Sequence, residues 1–377
     1  MIIRSEELRE CCGKILQAVN GNDLSVLTET LELKAQNGLL ELNVTNKEYF
    51  TKVKFKLDSD VVFHAAVKAG LFLSLISRIT TENIELNVDG NSLVVRGNGN
   101  YKLPMIYEGD NLLELPEIKL NNITCEMSIP ASTLVSVLEY NSKELTKGTV
   151  SSVVQKLYYL DEQGAITFTS GACVNKFTLE KPIKLLLNNR LVKLFKLFKN
   201  DNNVKFELAY DNVSDTIVQT KVKFITEDVE ISAILSCDDS LLNSVPVTAI
   251  RSRAAALYPY SVVIKKDALV DTIGRLMLFT DSSKDIKNEG TLQFQKDTVV
   301  VWDTNKHNFE TVPYANSIQN MAEDDCYEAM FDMQDLSATL DSCKDEYVTI
   351  NFGDGMAAVF VRGNVYNVIP EIVSVAG

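Results

Sequence analysis

The residue types best suited to chemistry in this sequence are four cations on one short amphipathic segment, NRLVKLFKLFKN, at positions 189–200. At about 100° per residue, the apolar side chains of a helix with this sequence fall on one side and the cations on the other. The cations are Arg190, Lys193, Lys196 and Lys199, with no acidic residue among them. Such a face can bind phosphate groups without reading a base sequence. The alternative is an ordinary solvated surface.

Further cations stand on or beside segments that we predict to be helices at matching places elsewhere in the chain. They are Arg9, Lys14, Lys68, Arg78, Lys266 and Arg275. The whole chain is acidic, with 37 Lys and Arg against 51 Asp and Glu and a formal net charge of −14. Because binding to phosphates depends on where cations lie rather than on the average charge, we predict that these ten residues share one cationic side of the protein.

Apart from these cations, no set of residues in the sequence has types and spacing that predict a chemical role, and none predicts catalysis. His64 and His307 stand far apart and lack nearby metal ligands. The glycines of RGNGNYKLP are not followed by the third glycine and helix of a phosphate loop, so they indicate a turn. The acidic pairs at 238–239 and 324–325 lie in polar connectors, where solvated charge is favoured over magnesium binding. We therefore predict a protein that is not an enzyme and that holds no metal or cofactor.

The cysteine pattern and the length of the apolar runs indicate where in the cell the protein is located. The seven cysteines are scattered without a CxxC pair, and no secretory segment precedes them. No apolar run approaches the roughly 18 residues of a membrane span. We therefore expect a soluble intracellular protein with reduced thiols.

The predicted helices belong to a sequence unit that occurs three times in the chain. The first copy runs from Phe63 to Pro104 and reads as an extended entry, an amphipathic helix and two strands that turn at Asp89-Gly90. The second places its helix at Leu191 to Phe198. The third places its helix at Gln334 to Cys343 and its turn at Gly353 to Gly355. Repetition at domain-sized intervals predicts three domains of one type.

Each repeat is preceded by a similar half that opens with a helix. The first opening helix follows Ser5, which we predict to be its N-cap, and the hairpin after it turns at Asn37-Gly38. The second hairpin turns at Gln163-Gly164. We predict an α+β fold of three similar domains, at residues 1–120, 121–245 and 246–377, each built from two helix-plus-sheet halves.

These features resemble the bacterial-type DNA sliding clamp, the beta subunit of the replicative DNA polymerase III holoenzyme. The resemblance covers essentially the whole chain and rests on four segments in order. They are GNGNYKLPMIYEGDNLLELPEI, TSGACVNKF, Val245-Pro246 and YNVIPEIV. Two departures indicate a divergent or phage-encoded member. Ala172 and Cys173 stand where the family has His and Arg, and the tail after Pro370 lacks the usual basic-leucine ending.

The resemblance implies a homodimer in which two chains close head to tail into a ring of six domains, with helices lining a hole for duplex DNA. It also implies that the ten cations named above face the DNA. The implied partners are sequence-independent double-stranded DNA, the replicative polymerase and an ATP-dependent clamp loader, with no membrane. The implied location is the bacterial cytoplasm at the nucleoid, or the cytoplasm of a phage-infected host. The alternatives are a trimeric or monomeric processivity factor of the same domain type and a scaffold that does not encircle DNA.

The resemblance also implies a cleft between the second and third domains for a short apolar peptide of partner proteins. Carried over by motif, its walls are Tyr158, Thr169, Gly171, Val174, Pro246, Val247 and Ile369. Gly171 would let the peptide backbone approach closely. The alternative is that these residues only pack the domain boundary.

Overall fold

The computed structural model describes residues 1–19, 25–46, 48–146, 152–214, 217–279, 288–341 and 345–372. These residues form two compact units. Unit 1 comprises Met1–Val135 and Arg190–Ser236, and unit 2 comprises Ser136–Asn189 and Cys237–Gly377.

The strands are β1 (Ile2–Arg4), β2 (Thr30–Gln36), β3 (Leu39–Thr45), β4 (Tyr49–Lys56), β5 (Phe63–Lys68), β6 (Asn83–Asp89), β7 (Ser92–Arg96), β8 (Asn100–Pro104), β9 (Tyr107–Glu108), β10 (Asn111–Leu112), β11 (Ile123–Pro130), β12 (Leu157–Asp161), β13 (Gly164–Phe168), β14 (Ala172–Lys176), β15 (Lys184–Asn188), β16 (Asn203–Ser214), β17 (Ile217–Ile225), β18 (Val229–Leu235), β19 (Tyr260–Lys265), β20 (Glu289–Phe294), β21 (Thr298–Trp302), β22 (Phe309–Pro313), β23 (Tyr327–Asp332), β24 (Tyr347–Phe352), β25 (Ala357–Arg362) and β26 (Val365–Pro370).

The α-helices are α1 (Ser5–Leu16), α2 (Val26–Glu29), α3 (Ala69–Ile76), α4 (Ala131–Ser136), α5 (Ser142–Glu144), α6 (Asn189–Lys193), α7 (Asp239–Ser244), α8 (Val247–Ala254), α9 (Lys266–Leu276) and α10 (Met333–Asp341). A π-helical turn at Val137–Asn141 joins α4 to α5. Turns of 3-10 helix extend α6 through Leu194–Phe198 and α9 through Met277–Phe279, and another precedes β12 at Val153–Lys156.

Each unit contains one eight-stranded and one four-stranded antiparallel sheet. In unit 1 the orders are β11-β16-β17-β18-β4-β3-β2-β5 and β1-β6-β7-β8, with a two-stranded ribbon of β9 and β10. In unit 2 they are β15-β12-β13-β14-β26-β25-β24-β19 and β22-β21-β20-β23. Each eight-stranded sheet combines strands from two of the predicted domains, through the β4–β18 pair in unit 1 and the β14–β26 pair in unit 2.

The predicted turns are confirmed where the backbone demands particular residues. Asn37 and Gly38 both have positive φ, 55° and 72°, as a type I′ hairpin requires. Gly164 has φ 136°, and a Cβ there would lie 2.2 Å from the carbonyl oxygen of Asn175 on the next strand. A side chain at this position would therefore push β13 and β14 apart.

The first helix begins differently from the prediction. Arg4 is the N-cap of α1 and gives no side-chain cap, while Ser5 is the first helical residue. β1 pairs with β6 up to Arg4, so the strand runs straight into the helix. The Ser5 amide donates to the carbonyl of Glu82, 2.9 Å away, and its hydroxyl is buried without a partner in the described chain. Ser5 as N-cap was therefore wrong.

The repeated helices lie where the sequence predicts them. In the second repeat, α6 and its 3-10 extension cover the predicted range Leu191–Phe198. In the third, α10 ends at Asp341, and the predicted end at Cys343 lies outside the described residues. α1 packs on α3, and α9 on α10, so each of these helix pairs forms one layer against a sheet. The pair α1 and α3 and the pair α9 and α10 are thus arranged alike within their own units.

Candidate nucleic-acid interface and peptide cleft

The apolar side of the second-repeat helix is fixed to the core of unit 1. Leu191, Phe195 and Phe198 are completely buried. The ring of Phe195 lies edge-on to Phe224 of β17, with centroids 5.1 Å apart, and Phe206 of β16 extends the cluster. Because the buried side is immobilised in this way, the opposite side of the helix has a defined orientation toward solvent.

The exposed side of this helix carries cations without counter-charges. Lys193, Lys196 and Lys199 are exposed, and within the described chain no carboxylate oxygen lies within 4.0 Å of their ammonium groups. Arg190 is more than half exposed and reaches the Glu48 carboxylate only at 3.9 Å. An ion pair this exposed and this long contributes little, so all four charges remain available to an anion.

Two further predicted cations are also free. Arg9 is exposed on α1 and uses its Nε to donate to the carbonyl oxygen of Ser5, at 3.1 Å. Arg78 is exposed two residues after the end of α3, rather than within that helix. Neither guanidinium has a carboxylate partner among the described residues.

The other four predicted cations are paired with acids. Lys14 bonds Glu10 at 3.1 Å and reaches Asp228 at 3.5 Å. Partial burial lowers the pKa of Lys14, but the hydrogen bond and charge of Glu10 outweigh it and leave the pKa above its ordinary value. Lys68, which ends β5 and precedes α3, bonds Glu29 at 3.1 Å.

The two predicted cations on α9, the opening helix of the third predicted domain, are also paired with acids. Arg275 makes two hydrogen bonds to Glu310 of β22, at 2.8 and 2.6 Å, and these bonds raise the pKa of Arg275. Lys266 bonds its neighbour Asp267 at 3.0 Å. The partner of Arg275 lies 35 residues away in sequence, so counting charges along one helix could not reveal it. The free cations are thus concentrated on one helix rather than spread over all of them.

Unit 2 contains a cleft of about 620 Å³ beside its connecting segment, at the start of α8. Two predicted peptide-binding residues, Pro246 and Val247, line it. The other walls are Tyr159, Asp161, Glu162, Gln163, Lys184, Leu242, Asn243, Val245, Thr248, Ala249 and Arg251. The structure therefore provides a concave site with mixed apolar and charged walls at the predicted connector.

An ion pair holds one wall of this cleft. Arg251 of α8 donates to both carboxylate oxygens of Asp161, at 2.8 and 2.6 Å. These bonds raise the pKa of Arg251, whereas burial alone would lower it. Burial, followed by the charge of Asp161, raises the pKa of Tyr159 to about 12. The Tyr159 hydroxyl is therefore uncharged, and this largely buried side chain forms part of the lining of the cleft. Sequence reasoning missed both residues of the ion pair because they are 90 positions apart.

Two predicted wall residues face the other side of the sheet from this cleft. Tyr158 is completely buried, and its hydroxyl donates to Oδ1 of Asn189 at 2.9 Å. Ile369 is buried in the other core cluster of unit 2, away from the one that contains Tyr159 and Val368. Because side chains alternate along a strand, the neighbours Tyr159 and Val368 belong to the opposite core cluster, and of the two Tyr159 lines the cleft. Tyr158 and Ile369 are therefore not among the lining residues of this cleft, and their roles as walls of a peptide site stay a prediction.

The turn residues have structural partners. Thr169 is buried and donates from Oγ1 to the carboxylate of Glu144 at 2.8 Å. A Cβ on Gly171 would lie 2.5 Å from the carbonyl oxygen of Val368, so the close backbone approach there is that of β26. Val174 is buried in the cluster against which Val247 packs. These three residues are not among the lining residues of the cleft, and their roles in peptide binding stay a prediction.

Comparison with known proteins identifies the architecture. No protein-family model and no curated protein matches the sequence. The DNA polymerase III beta subunit of Pseudomonas aeruginosa matches it in structure with a TM-score of 0.78 over 99% of both chains, at 13% identity. The chain has the fold of a bacterial sliding clamp.

Two other solved clamps agree. The beta subunit from Thermotoga maritima has a TM-score of 0.75 over 99% of both chains, at 13% identity. The sliding clamp from Bacillus subtilis has a TM-score of 0.76 over 99% of this chain and 98% of its own, also at 13% identity. The predicted α+β clamp fold, with its three domains per chain, is therefore confirmed. In the described part of the chain, no helix is long and apolar enough to cross a membrane.

Proposed function

We propose that this protein is a DNA polymerase processivity factor, a sliding clamp that encircles duplex DNA and tethers the replicative polymerase without catalysing a reaction itself. The observation that carries the proposal is the row of free, exposed lysines at 193, 196 and 199 on a chain of net charge −14. Acidic surface elsewhere repels DNA, so the duplex is confined to the cationic face. The full-length similarity to bacterial clamp structures supports the same function.

The mechanism follows from sequence-independent phosphate contact. Ammonium groups on flexible stems exchange between neighbouring phosphates, and such contacts fix no base sequence, so the protein slides. The second-repeat helix makes the principal contact, with Arg9 and Arg78 as lesser ones. Lys14, Lys68, Lys266 and Arg275 contribute less because carboxylates already bind them.

Ring closure requires the free edges of the four-stranded sheets. β8 is one edge in unit 1, and β22 is one edge in unit 2. Phe309 of β22 is 56% exposed, and Leu278 and Phe279 after α9 are 80% and 58% exposed. Unpaired edges beside exposed apolar side chains favour strand addition. We propose that β8 of one chain pairs with β22 of a second chain, giving a head-to-tail homodimer.

Tethering converts polymerase rebinding into an intramolecular step. A partner held on a closed ring stays at a high effective concentration near the primer end, which is the source of processivity. The unit 2 cleft at Pro246 and Val247, with Tyr159 as floor, is the proposed site for the partner peptide. The chain has no nucleotide-binding motif, so the proposal includes an ATP-dependent clamp loader and action on DNA in the cytoplasm.

A scaffold that does not encircle DNA, or a trimeric or monomeric processivity factor, is the second candidate. The paired state of Lys14, Lys68, Lys266 and Arg275 favours it, because a channel lined evenly by cations is absent from the described helices.

The test is topological. The chain is loaded by its cognate loader onto a nicked circular plasmid and separated from free protein by gel filtration. We expect retention on the circle and rapid release once a restriction enzyme linearises it. Equal retention on circular and linear DNA would contradict encirclement, and a particle mass other than two chains would contradict the dimer.

A further inference from the structure

Unit 1 contains a second cleft, of about 600 Å³, that the proposed function does not use. It lies where the connector after β10 crosses the polar face of the eight-stranded sheet. Ile234 of β18 lies at its floor, Leu27 of α2 forms one wall, and Pro116 and Ile118 of the connector form the other. Leu27 is 39% exposed, and both isoleucines are half-buried. The apolar part of this cleft is therefore open to a ligand.

The polar part of the cleft presents donors rather than acceptors. Lys119 is exposed, and no carboxylate lies within 4.0 Å of its ammonium group in the described chain. Lys221 donates to the Lys119 carbonyl at 3.0 Å and to Asp211 at 2.9 Å, which holds the connector in place. Asn46 is 6% exposed, and its Nδ2 has no acceptor among the described residues. Of the two acids on the connector, Glu117 lines this cleft and already faces Lys52 at 3.6 Å, whereas Glu114 is not among its lining residues.

The two clefts are built alike. In unit 2, the connector containing Pro246 crosses an eight-stranded sheet beside a strand end, at Asp161 of β12. In unit 1, the connector containing Pro116 does the same beside Thr45, the last residue of β3. They differ in charge, because the unit 2 cleft has a paired Asp161 and Arg251, whereas the unit 1 cleft has the free Lys119.

We propose that the unit 1 cleft is a second docking site, for a linear peptide in which a large apolar side chain adjoins a carboxylate. The apolar side chain enters between Leu27, Ile118 and Ile234, and the carboxylate binds Lys119. A cleft of this volume holds a few side chains, as peptide pockets do. The inference rests on the proposed tethering function in one respect, since it gives each chain two sites for partners.

The experiment uses the full chain with 13C-labelled isoleucine and valine methyl groups. The probe is the end-blocked peptide Ser-Asp-Leu-Phe-Asp-Ser, and its matched control is Ser-Lys-Leu-Phe-Lys-Ser. We expect saturable shifts of the Ile118 and Ile234 methyl signals with the acidic peptide and about fivefold weaker binding of the control. Lys119→Glu changes an exposed side chain, so the fold should stay intact. The variant should bind the control peptide more tightly than the acidic peptide.

Unmoved Ile118 and Ile234 signals, or an equal response to both peptides, would overturn the proposal. So would unchanged acidic-peptide affinity in Lys119→Glu. The Val247 methyl signal reports the unit 2 cleft separately. A silent Val247 with responding isoleucines therefore refutes the placement of the first peptide site and leaves the second one standing.

Discussion

Replacing Lys193, Lys196 and Lys199 together by Gln is the sharpest perturbation of the proposed DNA contact. Their stems project from a helix whose opposite side is locked by Phe195 and Phe198, so the fold should be unaffected. Because no described carboxylate pairs with them, each lysine can release counterions from DNA on binding.

The magnitude follows from that release. Each phosphate contact contributes about 0.9 to the slope of log affinity against log salt, so losing three lowers the slope by about 2.7. Between 50 and 200 mM salt, the native protein should therefore lose about 40-fold more affinity than the variant does.

A matched variant carries the same charge change at paired lysines. Lys14, Lys68 and Lys266 each have a carboxylate oxygen 3.0 or 3.1 Å away. Replacing these three by Gln should lower the slope by less than about 1, because their charges are already compensated. The measurement is fluorescence anisotropy on a labelled duplex across a salt series. Equal slope changes in the two triple variants would refute the reasoning, since net charge alone would then explain binding.

Four further results are expected. Phe309→Asp puts a charge on the β22 edge and should convert the dimer to monomers in sedimentation velocity at micromolar concentration. Val247→Asp should abolish stimulation of the cognate polymerase in primer extension while the dimer persists. Phe195→Ala should lower the free energy of unfolding by about 3–5 kcal/mol in urea, through loss of the aromatic cluster. Glu230 should make stability acid-sensitive: burial would raise the pKa of Glu230, but Lys223 and Lys54 lower it below the ordinary 4.5. Its stabilisation is then present above that value and lost as pH falls, so Glu230→Gln should flatten the acid limb.

Two variants serve as controls. Leu257→Asp changes a side chain that is 99% exposed and is not part of β22, and it should leave the dimer intact. Tyr158→Phe removes a buried hydrogen bond to Asn189 and should cost about 1 kcal/mol of stability without affecting polymerase stimulation. A monomeric Leu257→Asp, or a Tyr158→Phe with lost stimulation, would contradict the assigned surfaces.

Local features were predictable from the sequence because their causes are local. Asn37-Gly38 specifies a hairpin through positive φ at both residues, and the helix at Leu191–Phe198 follows from apolar spacing. Features that depend on distant partners were not predictable. The sequence around Arg275 gives no sign of Glu310, which reaches it only because β22 packs beside α9.

The peptide cleft shows the limit more sharply. Motif order located the connector at Pro246 and Val247, but which face of a strand points outward depends on pairing register. A shift of one residue exchanges the faces, so motif order could not show that Tyr159, the neighbour of Tyr158, lines this cleft. The sequence gives no sign of the ion pair between Asp161 and Arg251 because these residues, like Arg275 and Glu310, lie far apart in the chain.

The eight-stranded sheets carry a mechanical consequence. In unit 1, five residue pairs between β4 and β18 join strands of the first and second predicted domains, and in unit 2 four pairs between β14 and β26 join strands of the second and third. If a protease cut a connector between two predicted domains, the backbone hydrogen bonds between their strands would therefore still hold the two fragments together. Removing one predicted domain would instead expose an unpaired strand edge, and such an edge promotes aggregation. A single predicted domain therefore cannot be expressed alone without exposing the sheet edge that its neighbour covers.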